Sequence, residues 1–290
     1  MKQRLLVAAV GVPLLIWILV FLPPIAAAIL TAAIAGAAAY ELLHTAGKNV
    51  PPAVYVLTIL AAVLTVLFCA LDRLPLPALY SAVYSALDFY SAFAYLYAAF
   101  AFLYVMALFF TAVHTHGTEK AMPFASVAIC IVAAFLFPAM YSFIALLRNI
   151  GPSFVLMPFV VAFIGDSFSM LGGMAFGHKK FAPHVSPNKT WAGFLAGPVG
   201  SALGMVLLGL ASKWIWQMEL PLWYLAVTGI VANLFGQLGD LSMSLIKREA
   251  GIKDYSHIFL THGGVLDRFD STLFLSPVVY AMLFLLEKLV

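Results

Sequence analysis

The chain has 290 residues, of which 64% are hydrophobic and only 9% charged, with a mean hydropathy of +1.05 and a formal net charge of +3. A soluble domain carries about 25% charged residues, so this composition excludes a water-facing globule. The mild positive balance also speaks against a nucleic-acid binder, and a lipid bilayer is the solvent that fits.

Crossing about 30 Å of hydrocarbon takes roughly 20 apolar residues as helix. Reading the chain for such runs predicts spans over 5–22, 25–43, 52–70, 89–112, 121–147, 153–175, 191–211, 222–244 and 268–287. The first run follows Lys2 and Arg4 and resembles the start of a signal peptide. It is longer than a usual signal core and lacks a clear small-residue cleavage site, so it reads as a retained span. Pro23 and Pro24, Pro51 and Pro52, and then Pro75 and Pro77 punctuate the breaks between early runs. Cys69 and Cys130 each sit inside an apolar run and read as small buried hydrophobes.

Orientation follows the distribution of Lys and Arg. The N-terminus and even-numbered loops hold Lys2, Arg4, Lys48, Lys120, Lys179, Lys180, Lys189, Lys247, Arg248, Lys253 and Arg268, whereas the other side holds only Arg73, Arg148, Lys213 and Lys288. The expectation is an all-α, polytopic integral membrane protein of about nine spans with its N-terminus in the cytoplasm. Residues 1–150 read as packing and lipid-facing helices. Residues 151–290 read as the catalytic region, with cytoplasmic loops at 176–190 and 245–267.

Carboxylates are costly at membrane depth, so their positions are informative. Asp166 follows the apolar run Phe159 to Gly165, and Asp240 lies in Gly236-Gln237-Leu238-Gly239-Asp240; neither has a sequence neighbour to neutralise it. A charged segment follows: Ser244-Leu245-Ile246-Lys247-Arg248, Lys253-Asp254, and His262-Gly263-Gly264-Val265-Leu266-Asp267-Arg268-Phe269-Asp270. A helix starting near Leu266 places Asp267 and Asp270 on one face of its first turn. Gly263 and Gly264 leave backbone N–H groups open to an anion. Acids, cations and a Gly-Gly turn together describe a hard-metal and phosphate site, for which Mg²⁺ is the expected ion. The competing reading makes the cations positive-side anchors and the acids their partners. A second polar stretch, Ser186-Pro187-Asn188-Lys189-Thr190-Trp191, precedes a span, with Lys189 and Thr190 placed for an anion and Trp191 for the interface. His178 and His184 flank it and read as solvated.

At these residues the chain resembles the phosphatidate cytidylyltransferases, also called CDP-diacylglycerol synthases. The resemblance rests on Ser244, Lys247, Arg248, Lys253, Asp254, His262, Gly263, Gly264, Asp267, Arg268 and Asp270 at matching spacing, on Ser186 to Trp191, and more loosely on Gly165-Asp166 to Gly177. It covers the C-terminal half by motif and the N-terminal half by hydropathy. It implies transfer of a cytidylyl group from CTP to phosphatidate, giving CDP-diacylglycerol and pyrophosphate, with Mg²⁺ and a potassium ion beside it. It further implies a multi-pass protein of the inner cell membrane with its active site facing the cytoplasm, and is compatible with a homodimer. Carried over residue by residue, Asp240 and Asp267 are the expected metal ligands, with Asp270 and Asp166 beside them. Lys247, Arg248 and Arg268 are expected at the reacting phosphates. Ser186, Lys189, Thr190, Ser244, Lys253, His262, Gly263 and Gly264 are expected to bind substrate. Three positions depart from the family pattern: Ala192 replaces a Glu, Ser169-Met170 replaces Ala-Tyr, and Leu260 replaces a Pro. They mark a divergent member. Other readings are a transferase for a different lipid phosphate, an inactive paralogue and, ranked behind these, a transporter; no internal repeat supports the last.

Overall fold

The computed structural model describes residues 2–71, 89–256, 258 and 263–289. Arg73, Pro75, Pro77, Leu260 and His262 lie outside the described residues, as do the side chains of Lys2, Arg4 and Lys288. The described helices are α1 (Lys2–Phe21), α2 (Pro24–Ala46), α3 (Pro52–Leu71), α4 (Phe89–Thr115), α5 (Phe124–Ile150), α6 (Pro152–Phe176), α7 (Trp191–Trp216), α8 (Leu222–Glu249) and α9 (Leu266–Leu289). Eight of them, α2 to α9, are long and apolar enough to cross a membrane; the described apolar part of α1, Ala9–Phe21, is shorter. The protein is an integral, multi-pass membrane protein.

Proline opens α2, α3 and α6, where the missing N–H goes unused and the fixed φ suits the first turn. Two expectations are corrected. The loop 176–190 contains a two-stranded antiparallel hairpin, β1 (Lys180–Ala182) and β2 (Ser186–Thr190), pairing Lys180 with Thr190 and Ala182 with Ser186. Phe181 drives it, stacking on Phe194 of α7 with ring centroids 4.4 Å apart. The loop 245–267 is also shorter than expected, because α8 continues to Glu249. Lys247 and Arg248 therefore occupy the last helical turn, where cations complement the helix dipole.

The chain divides into two compact units, residues 23–149 and residues 1–22 with 150–290. Thus α1 packs with the later helices, against α6, rather than with the other early ones. In the unit 23–149, α5 contains a π-helical stretch, Val132–Leu136. Such a stretch disturbs the regular carbonyl ladder. The buried Thr65 hydroxyl answers it, 2.9 Å from the Ala134 carbonyl and 2.7 Å from the Tyr97 hydroxyl. Thr65→Val is expected to cost about 1 kcal/mol, read as a lower unfolding temperature in detergent.

The second unit is a bundle of α6 to α9 in which α6 packs closely on α7. Gly193, Gly197, Gly200 and Gly204 line one face of α7, and a Cβ on any of them would collide with α6 or α8. Small residues at such spacing let helix backbones approach, the usual basis of packing in lipid. Interhelical hydrogen bonds reinforce it: Ser153 with Ser212, Ser201 Oγ to the Val161 carbonyl at 2.9 Å, and Tyr224 Oη to the Met282 carbonyl at 2.6 Å. At the turn after α7, Lys213 lies 2.8 Å from Glu219 and holds that exposed carboxyl below its ordinary range by hydrogen bonding and charge.

Candidate functional site

The site forms at the end of the second unit where the hairpin meets the C-terminal end of α8 and the N-terminal end of α9. The hairpin is fixed at its base. The Trp191 N–H donates to the Lys179 carbonyl at 3.0 Å, and buried Thr190 caps α7 by accepting from the Gly193 N–H at 3.2 Å. Thr190, expected to bind substrate, is thereby committed to the cap. One residue earlier, Lys189 reaches into the bundle and places Nζ 2.5 Å from Asp240 Oδ2. Ser244, one turn along α8, donates to Asp240 Oδ1 at 3.4 Å. Asp240 therefore has the partner its sequence neighbours did not supply. Lys189 is oriented by Asp240, so the missing acid at Ala192 is not needed for that purpose.

Asp240 does not stand alone. Its charge reaches Asp166 on α6 and Asp270 on α9, and Asp166 and Asp270 also repel each other. Lys189 attracts Asp166, and Lys247 attracts Asp270. Three helices thus bring three carboxylates within electrostatic reach of one another, with Lys189 and Lys247 as the nearby cations. Such a group favours binding an added cation, because a cation removes the mutual repulsion. Among the described residues, no three acidic, His or Cys side chains converge as a complete metal cage.

Asp267 stands differently. Its Oδ1 accepts from Lys247 Nζ at 2.7 Å, and its Oδ2 accepts from the Tyr255 and Gly264 N–H groups at 2.8 and 2.9 Å. The Asp267 and Lys247 side chains are 5% and 11% exposed. The anion that the Gly-Gly turn receives is therefore this carboxylate. Gly263 has φ +80°, and a Cβ there would lie 2.7 Å from Asp267 Oδ2, so the turn requires glycine. Lys247 also lies 5.4 Å from the centre of the Tyr255 ring, and Tyr255 Oη donates to the Met243 carbonyl at 3.0 Å. These contacts fasten Tyr255 and Gly264 to the ends of α8 and α9.

The remaining cations line the polar end. Arg248 is exposed and donates to the Val185 carbonyl at 3.3 Å and the Ile252 carbonyl at 3.1 Å, joining the hairpin to the connection. Lys253 and Arg268 are exposed, Ser186 is half-buried, and His178 and His184 are exposed as expected.

Between α6, the hairpin, α7 and α8 lies a cavity of about 440 Å³. Asp166, Lys189 and Thr190 line it, joined by residues that sequence reasoning passed over: Ser169, Lys180, Asn188 and Gln237. Gln237 donates to Asn233 Oδ1 at 2.7 Å and to the Phe194 carbonyl at 3.1 Å. An amide four residues after another amide on a span was a signal available in the sequence, since membrane helices rarely carry such a pair without an interior use. Tyr255 gave no such signal.

A family model described as the cytidylyltransferase family matches residues 2–286. The chain is also similar to curated proteins named phosphatidate cytidylyltransferase. The one from Staphylococcus epidermidis is 32% identical over 166 residues, which cover 57% of this chain and 62% of that protein. Those of Staphylococcus aureus, at 32%, and Staphylococcus haemolyticus, at 31%, match over the same shares. The matched segment thus spans 62% of the length of these curated relatives.

Proposed function

The chain belongs to the cytidylyltransferase family, and from that premise we propose that it transfers a cytidylyl group from CTP to phosphatidate, giving CDP-diacylglycerol and pyrophosphate. The observation that carries this reading is the Lys189–Asp240 pair set among Asp166 and Asp270 beside a polar cavity. No protein nucleophile is required. A lipid phosphate oxygen attacks the α-phosphorus of CTP, the bond to the β-phosphate oxygen breaks, and pyrophosphate departs with that electron pair. The protein's tasks are positioning and charge neutralisation.

Asp240, with Asp270 or Asp166 beside it, would hold Mg²⁺ through one or two carboxylates, water and phosphate oxygens completing its shell, and potassium is the second cation the family resemblance implies. Mg²⁺ supplies charge neutralisation at the phosphate oxygens during transfer. Lys189, swung from Asp240 to a substrate oxygen, stabilises the charge that develops there. Arg248, Lys253 and Arg268, on the water-facing end, offer the cations that a triphosphate and its pyrophosphate product need. Asp267 stays in its clamp with Lys247 and holds the first turn of α9, which carries Arg268 and Asp270. The excess of Lys and Arg at this end supports an inner-membrane protein with its active site toward the cytoplasm, the side that supplies CTP.

The test is incorporation of α-labelled CTP into extractable lipid by purified protein in mixed micelles. Label is expected with phosphatidate and Mg²⁺, and its loss is expected on chelation of the metal. Label with another lipid phosphate but none with phosphatidate would reassign the acceptor. Absence of label with every acceptor would overturn the reading.

A further inference from the structure

We propose that the cavity between α6, the hairpin and α7 receives the phosphate head of the acceptor lipid, and that Ser169 and Lys180 position it; this rests on the activity proposed above. Four observations lead there. First, the Ser169 hydroxyl is buried, lines the cavity and has no hydrogen-bond partner among the described residues. A buried hydroxyl without a partner costs free energy that a ligand oxygen would return. Second, Lys180 lines the same cavity from β1, exposed and without an ion pair among the described residues. Third, the cavity's cations are Lys180 and Lys189, whereas Lys247, Arg248, Lys253 and Arg268 do not line it. Two ammonium groups suit a phosphomonoester of charge near −2, while Arg248, Lys253 and Arg268 remain for a triphosphate.

The fourth observation separates a lipid from a nucleotide. The α6 wall of the cavity includes Met170 and Met174, which are 61% and 77% exposed within a membrane-spanning helix. Their exposed surfaces give the cavity's polar interior an apolar rim on the α6 side. A phosphorylated glycerol has use for that border, with its head among Ser169, Lys180 and Lys189 and its acyl chains passing over the two methionines. A cytidine has none. Methionine is also the apolar side chain best able to adapt to chains of differing shape. From the cavity a phosphate lies beside Asp166 and Lys189, next to the carboxylates where transfer is proposed to occur.

The experiment compares Ser169→Ala, Lys180→Ala and Lys180→Arg with the parent in mixed micelles, varying phosphatidate and CTP separately. Loss of a charge-assisted contact is expected to raise KM for phosphatidate about tenfold in Lys180→Ala, and loss of a neutral one about threefold in Ser169→Ala. KM for CTP should stay within about twofold, and Lys180→Arg should recover most of the lipid affinity. A second measurement does not need turnover: a phosphatidate carrying a diazirine on its acyl chain should label the segment containing Met170 and Met174, with labelling reduced in Lys180→Ala and displaced by phosphatidate but not by CTP. A rise in KM for CTP alone, or displacement of the label by CTP, would give the cavity to the nucleotide and overturn the proposal, as would unchanged constants for both substrates. If the parent transfers no cytidylyl group yet is labelled as described, the reaction fails and the lipid-phosphate site stands.

Discussion

Asp240→Asn is expected to reduce cytidylyl transfer by about a thousandfold or more while leaving the protein as stable to heat as its parent. The activity estimate follows from the loss of one preorganised charged group at a reacting phosphate, worth about 10²–10³, together with weakened Mg²⁺ binding. The stability estimate follows from the surroundings. Asp240 is 31% exposed at its side chain, and its pair with Lys189 is 27% exposed on the lysine side, so the pair contributes only about 0–1 kcal/mol. Against that small loss stands relief of repulsion with Asp166 and Asp270. Labelled-CTP incorporation and thermal unfolding in the same detergent would measure both sides. Retention of a tenth of the parent rate would remove Asp240 from the reacting centre.

The sequence carried the spans, the acids and the basic clusters, because each is a composition signal read over a window or a motif read over a few positions. It could not carry pairings made between distant segments. Lys189 and Asp240 are far apart in the chain and belong to a hairpin and a helix, and their contact at 2.5 Å depends on how α7 and α8 pack. The hairpin has the sequence of a loop, since Ser186-Pro187-Asn188 has the composition of a turn; the stacking of Phe181 on Phe194 and the Thr190 cap decide otherwise. Ser169 and Lys180 were visible only as a departure and as one more positive residue. Their common cavity exists because α6, α7 and the hairpin close around it. Most consequentially, the spacing of Asp267 and Asp270 put both acids on one face and gave them one role. Their surroundings in the structure differ: Asp267 accepts from three donors, while Asp270 feels the charges of Asp166 and Asp240.

That difference yields the second large effect. Lys247→Met is expected to destabilise the protein by about 3–5 kcal/mol, the cost of leaving one partner of a buried ion pair without the other. Methionine fills much of the lysine stem's volume, so the loss reports charge and not a cavity. Asp267, 5% exposed, would keep two backbone N–H donors but face the bundle without a counter-ion. Lys247→Met combined with Asp267→Asn removes the orphaned charge, while an amide oxygen can still accept from Tyr255 and Gly264. The double variant is therefore expected to be more stable than Lys247→Met alone, giving a favourable coupling between the two sites in a double-mutant cycle. Activity should stay low in both, because the pair holds the first turn of α9 and with it Asp270. Unfolding temperatures in detergent decide the matter: if Lys247→Met melts with the parent, or the second substitution lowers stability further, the Lys247–Asp267 pair does not anchor the site, and Asp267 returns to the group of acids that await a metal.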